Sequence, residues 1–388
     1  MMPADCSAPQ DGLSDLARQV EALSIERWGR ARPTRLVGGA PAFVGALERV
    51  ARYAPSTGTV LLCGETGTGK ELFARAVHLL SPRRGGAWVS VNCAQYHDGA
   101  LSVSELFGHR RGSFTGAVQD HRGVFEAADG GVLFLDEIGE LTLGAQALLL
   151  RTLSDGEIVP VGESRARRVD VRLVAATNRD LKSLVAAGGF RADLFYRLRC
   201  LQVALPPLRE RGRDWEWLLR DALATLNAAR GTRTRLAPAT LAMLEPYGWP
   251  GNVRELRAVV ETGFHESETG VIEPRHIAEA LEDAARGAQL RKVPLLDAHP
   301  KPAVEAPLAT RSFWDEVGDP FLARDLNRRE VQSILATALA RSGGSYKRAL
   351  GVLGIPQADY LRFMDFLRHH RLKPDEFRHP RVSAIGAS

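Results

Sequence analysis

The sequence is short of the features that would place the chain in a membrane or outside the cell. No apolar run approaches the ~20 residues a spanning helix needs, and the first residues, MMPADCSAPQDGLSD, lack the basic start and apolar centre of a secretory signal. Cysteine is scarce. Cys6, Cys63, Cys93 and Cys200 stand far apart, with no C-x-x-C pair and no histidine cluster beside them. That pattern argues against a disulfide framework or a zinc site and predicts free, mostly buried thiols. A cytoplasmic protein without membrane contact is the expectation.

What is present suits an ordinary globular protein. A chain of 388 residues, 45% hydrophobic and 25% charged, can bury the cores of two or three domains, so it is neither disordered nor fibrous. A formal charge of +5 and a pI near 9.2 would suit a nucleic-acid partner but are too modest to decide for one.

The patterning divides the chain. Residues 1–35 form a short segment, too small for a sensory domain, in which Leu13, Leu16, Val20 and Leu23 recur at helical spacing. From 36 to 210 the apolar runs TVLLCG, AWVSVNC, GVLFLDE and VRLVAATN alternate with longer amphipathic stretches, which predicts an α/β core around a mostly parallel sheet. Residues 211–285 read as four helices, with Pro238 and Pro274 near helix starts, and form an all-α lid. A Pro/Ala-rich linker is expected over 286–320, a small helical domain over 321–375 and a tail over 376–388.

Gly64, Glu65, Thr66, Gly67, Thr68, Gly69 and Lys70 follow the run TVLLC and precede the amphipathic ELFARAVHLL. This is the strand–loop–helix context of a phosphate-binding loop. Its backbone N–H groups turn inward on phosphates and Lys70 reaches the β/γ-phosphates. Glu71 stands where such loops usually carry the Ser or Thr that binds magnesium, so Mg2+ would rest on Asp136 and water. Asp136 and Glu137 close the apolar run GVLFLDE, where a strand end would deliver one carboxylate to the metal and the next to the attacking water. ATP is the expected substrate.

Gly112, Ser113, Phe114, Thr115, Gly116 and Ala117 describe a tight turn that displays an aromatic and a hydroxyl, which suits a contact tip. Together with GETGTGKE, VNCA, GGVLFLDEIGEL, VRLVAATN, FRADLFYRL, LPPLRER and WPGNVREL, this stretch resembles the sigma-54-dependent activators, a family of AAA+ ATPases. The resemblance runs in order from about Leu36 to Leu281, with Ser113 replacing the family's usual alanine. It implies that the tip contacts sigma-54 RNA polymerase, and that Asn92 acts as a switch holding Glu137 away from its water. By the same likeness Thr177 and Asn178 sense the γ-phosphate, Arg191 and Arg197 serve a neighbouring subunit's ATP, and Arg254 senses nucleotide in its own subunit. A ring, hexameric by resemblance, follows from fingers supplied in trans, and control could come from a separate regulatory protein. Other AAA+ remodellers share the nucleotide site without the tip, and a nucleotide-binding repressor without turnover would have no use for Glu137.

Near the C-terminus, Val331, Ile334, Leu335, Ala338 and Leu339 lie on one helical face; Ser345 would cap a second helix, and ADYLRFMDFLRHH a third. The arrangement resembles a Fis-type helix-turn-helix. From Arg341 to Ser388, nine Lys/Arg stand against four Asp/Glu, which suits phosphate contacts to promoter-upstream DNA. Lys347, Arg348, Gln357 and Arg362 are the candidate DNA-contacting residues, while Asp359 and Asp365 would repel the backbone; a helical module for partner contacts is the competing reading.

Overall fold

Short runs of Val, Leu and Ala bounded by turn residues become strands buried on both faces. The computed structural model describes residues 13–31, 33–95, 99–113, 117–292, 313–319, 321, 328–342, 345–370 and 372. The chain falls into two units, residues 1–288 and 289–388.

The first unit opens with α1 (Asp15–Trp28), α2 (Pro41–Tyr53), β1 (Val60–Cys63), α3 (Lys70–Leu79) and β2 (Trp88–Asn92). There follow α4 (Gly99–Phe107), α5 (Val124–Ala127), β3 (Val132–Asp136), α6 (Leu143–Asp155), β4 (Glu157–Ile158) and β5 (Arg167–Arg168). The core closes with β6 (Arg172–Thr177), α7 (Leu181–Ala186), α8 (Ala192–Leu198) and β7 (Leu201–Ala204). The sheet order is β2-β3-β6-β1-β7, and every neighbouring pair is parallel. Successive side chains on a strand point to opposite faces: Val132 and Phe134 join a core with α2 and α3, while Leu133 and Leu135 join one with α6 and α8. Burial on both faces is why these strands read as continuous apolar runs. The strand β7 was not among the expected runs.

The N-terminal segment is part of this body rather than a separate piece. Ala17, Val20 and Ser24 of α1 are buried, Leu13, Leu16 and Leu23 pack beside them, and Arg35 pairs with Glu21 at 3.1 Å and Asp221 at 2.5 Å. Trp28 stacks on His78, which leans on Trp88, itself stacked on Phe134, at centroid distances of 6.0, 5.5 and 5.9 Å.

The lid comprises α9 (Asp214–Arg230), β8 (Arg235–Leu236), α10 (Pro238–Leu244), α11 (Asn252–Glu266), β9 (Val271–Ile272) and α12 (Arg275–Lys292). It is hinged on a buried ion pair, Arg211 with Asp214 at 2.9 Å. Asp214 also accepts the Gly39 and Ala40 N–H groups at 2.9 and 3.1 Å, and Arg211 donates to the Val37 carbonyl at 2.6 Å. Every charge and donor in this joint is therefore answered, as burial requires.

In the second unit, helices Arg328–Arg341, Tyr346–Val352 and Tyr360–His369 enclose a core of Val331, Leu335, Ala338, Leu339, Leu350, Phe363 and Leu367, and Ser345 caps the second helix. The proposed linker is corrected at both ends. The lid helix α12 continues to Lys292, and Phe313 and Val317, on the helical turn Trp314–Gly318, are buried in the C-terminal core. The prolines around this turn masked the apolar pair, Phe313 and Val317, that anchors it.

His78 is fully buried and among the described residues has no hydrogen-bond partner for either ring nitrogen, so burial pushes its pKa down from 6.5 to about 4, with Arg27 adding to the effect. Between those values the unfolded chain binds a proton that the folded chain refuses, so stability falls as pH drops from 6.5 towards 4. Urea denaturation of the wild type should register this loss, and His78→Phe should flatten the pH dependence in that window.

Candidate functional site

Parallel strands put all their carboxyl ends on one edge, and register aligns them: Cys63 lies beside Thr177, and Asn92 beside Asp136. The loop Gly64–Gly69 leaves β1 at that edge. Gly67 and Gly69 hold φ values of 83° and 97°, a left-handed backbone that favours glycine. Gly69 opens α3, and Thr68 Oγ1 donates to the Glu65 carbonyl at 2.8 Å. Lys70 is 6% exposed; its Nζ donates to the Gly64 and Glu65 carbonyls at 3.0 and 3.3 Å and stands 3.6 Å from Glu137 Oε1.

Asp136 ends β3 with one oxygen accepting the Glu137 N–H at 3.0 Å. Burial raises its pKa, opposed by the charge of Lys70. A poorly solvated anion with an oxygen to spare suits Mg2+, which takes one or two carboxylates and completes its shell with phosphate oxygens and water. Among the described residues there is no cluster of three or more acidic, His or Cys groups for a metal. Glu71 points elsewhere, paired with Arg75 at 2.8 Å, so Asp136 is the carboxylate that fits the ion.

Glu137 occupies a left-handed backbone position, φ 51° and ψ 50°, which costs a non-glycine residue about 1–3 kcal/mol. Its carboxylate is held at two places: Oε2 accepts the Asn178 N–H at 3.1 Å and Oε1 faces Lys70. The amide of Asn178 donates to Thr66 Oγ1 at 2.8 Å, so one residue touches both the carboxylate and the phosphate loop. Thr177 accepts the Gly64 N–H through its carbonyl at 3.2 Å and turns its hydroxyl to the Arg179 N–H at 3.0 Å. Asn92 is not brought onto Glu137: its Oδ1 accepts the Ala94 N–H at 3.0 Å.

The arginines divide. Arg254 sits on α11 over the loop: a Cβ added to Gly67 would lie 3.1 Å from its own Cβ, and its charge acts on Asp136. Arg191 is held by Asp193 at 2.8 and 3.1 Å, which raises its pKa further. Arg197 donates to the Leu153 carbonyl at 2.7 Å and lines a cavity of about 350 Å3 with Thr57, Asp170 and Cys200. The hydrogen bonds of these two guanidinium groups are made away from the phosphate loop of their own chain.

Of the contact turn, Phe114, Thr115 and Gly116 lie outside the described residues. Its base is closed by the Gly112 N–H donating to the Ala117 carbonyl at 2.8 Å. Ser113 packs on Gly162, and among the described residues its buried hydroxyl has no partner, an unmet polar group that alanine would not leave. Arg110 bridges Asp120 and Glu163 at 2.5 and 3.3 Å, and Arg167 bridges Glu163 and Glu126 at 2.5 Å each, tying the base of the turn to the β4–β5 hairpin.

In the second unit, Lys347, Arg348, Gln357 and Arg362 are exposed. Arg362 also lies over the Trp314 ring at 4.3 Å, so part of its role is packing.

Two residues at the site escaped the sequence reading. Asn252 is fully buried in a left-handed backbone, φ 55°. Its Oδ1 accepts the Leu208 N–H at 2.7 Å, and its Nδ2 donates to Glu65 Oε2 and the Thr66 carbonyl, each at 3.1 Å. Arg209 grips Glu65 with two bonds of 2.8 and 2.6 Å, which lowers that carboxyl's pKa. Both lie in motifs already noticed, LPPLRER and WPGNVREL, but their contacts to the phosphate loop span more than 140 positions and no local signal encodes them. Removing the amide leaves the buried Leu208 N–H without its acceptor, and the Glu65 carboxylate and Thr66 carbonyl without their donor; a buried group left unmet costs about 1–3 kcal/mol. Asn252→Gly keeps the left-handed backbone and should weaken ADP binding about tenfold or more by calorimetric titration, while Asn252→Ala adds backbone strain and should lose more.

The family model described as the Sigma-54 interaction domain matches residues 36–204, and that of the AAA+ ATPase lid domain matches 209–292. The nitric oxide reductase transcription regulator NorR1 of Cupriavidus necator is 41% identical over 88% of this chain and 66% of its own. The Nif-specific regulatory protein of Klebsiella pneumoniae is 46% identical over 64% of this chain and 48% of its own. The chain thus spans between about half and two thirds of these relatives. NtrX from Brucella abortus, solved in complex with ATP, superposes with a TM-score of 0.59 at 26% identity, over 88% of this chain and 70% of that one. The chain belongs to the sigma-54-dependent transcription activators, with a sigma-54 interaction domain built on an AAA+ ATPase core.

Proposed function

We propose that this chain hydrolyses ATP to convert the closed promoter complex of sigma-54 RNA polymerase into the open complex. One observation carries the reading. Lys70, Asp136, Glu137 and Asn178 converge at a single sheet edge inside a domain matched for sigma-54 interaction. Gly64 to Lys70 would cradle the phosphates through backbone N–H groups, with Lys70 on the β/γ-phosphates and Glu71 at the edge of the loop. Mg2+ on Asp136 would supply charge neutralisation at the phosphate oxygens. Glu137, aimed by its strained turn, would take the proton of the attacking water; Thr177 and Asn178 would read the γ-phosphate, and Arg254 the nucleotide from the lid.

The chain would act in the cytoplasm as a ring, a hexamer in this reading. Arg191 and Arg197, whose hydrogen bonds lie away from their own loop, would complete a neighbour's site. Permanently charged guanidinium groups there are worth ~10³ or more in rate. Asn92 would leave Ala94 to engage Glu137 as the switch. Gly112 to Ala117 would touch sigma-54, and the C-terminal unit would hold upstream DNA through Lys347, Arg348, Gln357 and Arg362. A separate regulatory protein would set when the ring works.

ATP-dependent opening of a supercoiled promoter, compared between sigma-54 and primary-sigma holoenzymes, tests the central claim; opening only with sigma-54 is expected, and robust ATPase activity without opening would redirect the machine to another client. Thr115→Ala should keep ATP hydrolysis and lose opening, whereas joint loss of both would count against a dedicated contact tip. Arg197→Ala alone should be inactive, and activity should return on mixing with a subunit that keeps Arg197 but carries Lys70→Ala. No recovery on mixing would exclude shared sites.

A further inference from the structure

Away from the nucleotide, the lid carries a cleft of about 530 Å3 on which Arg230, Arg233, Arg235 and His265 converge with the hydroxyls of Thr232 and Ser267. One carboxylate, Glu268, lines it, and among the described residues no ion pair joins any of the three arginines to a carboxylate. Like charges gathered without counterions raise one another's energy, a cost that a bound anion removes.

The backbone that presents them is fixed. Asn227 staples the turn after α9, its Oδ1 accepting from Thr232 Oγ1 at 2.9 Å and the Thr234 N–H at 2.8 Å while its Nδ2 donates to the Thr234 carbonyl at 2.8 Å. The Arg235 N–H donates to the Gly270 carbonyl at 3.0 Å, and strand β8 pairs with β9. Arg233, just before β8, and Arg235, its first residue, both line the cleft and both are exposed. Arg230 lies over the Phe264 ring at 5.6 Å, with one Nη 3.5 Å from His265 Nε2. Arg230 and His265 sit in the last turns of α9 and α11, where they also answer the negative ends of those helices. Arg233 and Arg235 have no such duty.

We propose that this cleft holds the phosphodiester backbone of duplex DNA, giving the ATPase body a sequence-independent nucleic-acid contact of its own. The inference rests on the reading that the chain works on promoter DNA and extends it to a second surface. Charge argues for it. Among the described residues Arg233 and Arg235 are exposed in the cleft with no carboxylate paired to them, so their charge is available to phosphate. An open cleft with spread guanidinium groups fits an extended polyanion, and several hydroxyls can add bonds to phosphate oxygens.

Fluorescence anisotropy of the full chain on a labelled duplex of scrambled sequence, over a salt series, tests this. Each phosphate contact contributes about one unit to the slope of log affinity against log salt. Arg233→Ala/Arg235→Ala should lower the slope by about two and weaken binding at least tenfold at low salt, with ATPase activity unchanged. Lys347→Ala/Arg348→Ala, in the C-terminal unit, serves as the parallel variant. If that pair lowers the slope and the lid pair does not, the lid inference is overturned and the C-terminal reading stands. Absence of binding by the wild-type chain overturns both.

Discussion

The arrangement depends on the clasp that Asn252 makes between lid and phosphate loop. A primary amide has two donors and an acceptor with room to spare, and here both donors and the acceptor are used on two separate segments: Glu65 and Thr66 of the phosphate loop, and the Leu208 N–H. The Val253 N–H adds a bond of 3.0 Å to the Gly67 carbonyl, and a Cβ on Gly67 would sit 2.3 Å from the Gly251 carbonyl. At such distances the two backbones cannot slide past one another. Loop shape and lid position are therefore a single variable, and a push on one is a push on the other.

A second joint ties the Glu137 carboxylate into the same unit. Because β6 lies between β3 and β1, its end falls between Asp136 and the phosphate loop, and Asn178 spans the gap with its backbone to Glu137 and its side chain to Thr66. Strain at Glu137 holds that carboxylate in a conformation the turn would not otherwise favour. Any movement of the loop thus reaches the Glu137 carboxylate.

The base of the contact turn is built in a different way. Arg110, Glu163, Arg167 and Glu126 form a chain of ion pairs, and backbone bonds of 3.0 and 2.9 Å join the Arg110 N–H to the Val161 carbonyl and the Val161 N–H to the Gly108 carbonyl. Isolated surface pairs contribute little, but a linked set braced by backbone bonds fixes a direction. The stem is therefore braced on the β4–β5 hairpin, which leads directly into β6 and the Thr177–Asn178 end of that strand.

Much of this was legible in the sequence because it is local. Apolar runs without alternation specify buried parallel strands, glycines specify the left-handed positions of the phosphate loop, and Lys70, Asp136 and Glu137 are read from the strand ends that deliver them. The helical stripe Val331–Leu339 is likewise a matter of spacing. What only the tertiary structure decided are the contacts between distant segments: α1 against the sheet, Phe313 in the C-terminal core, Arg209 on Glu65, Asn252 across the loop, Glu71 turned away to Arg75. Spacing along a chain records which residues share a face, but a hydrogen bond between residues more than 140 positions apart exists only once two surfaces meet, because its energy comes from burial that the sequence alone does not display.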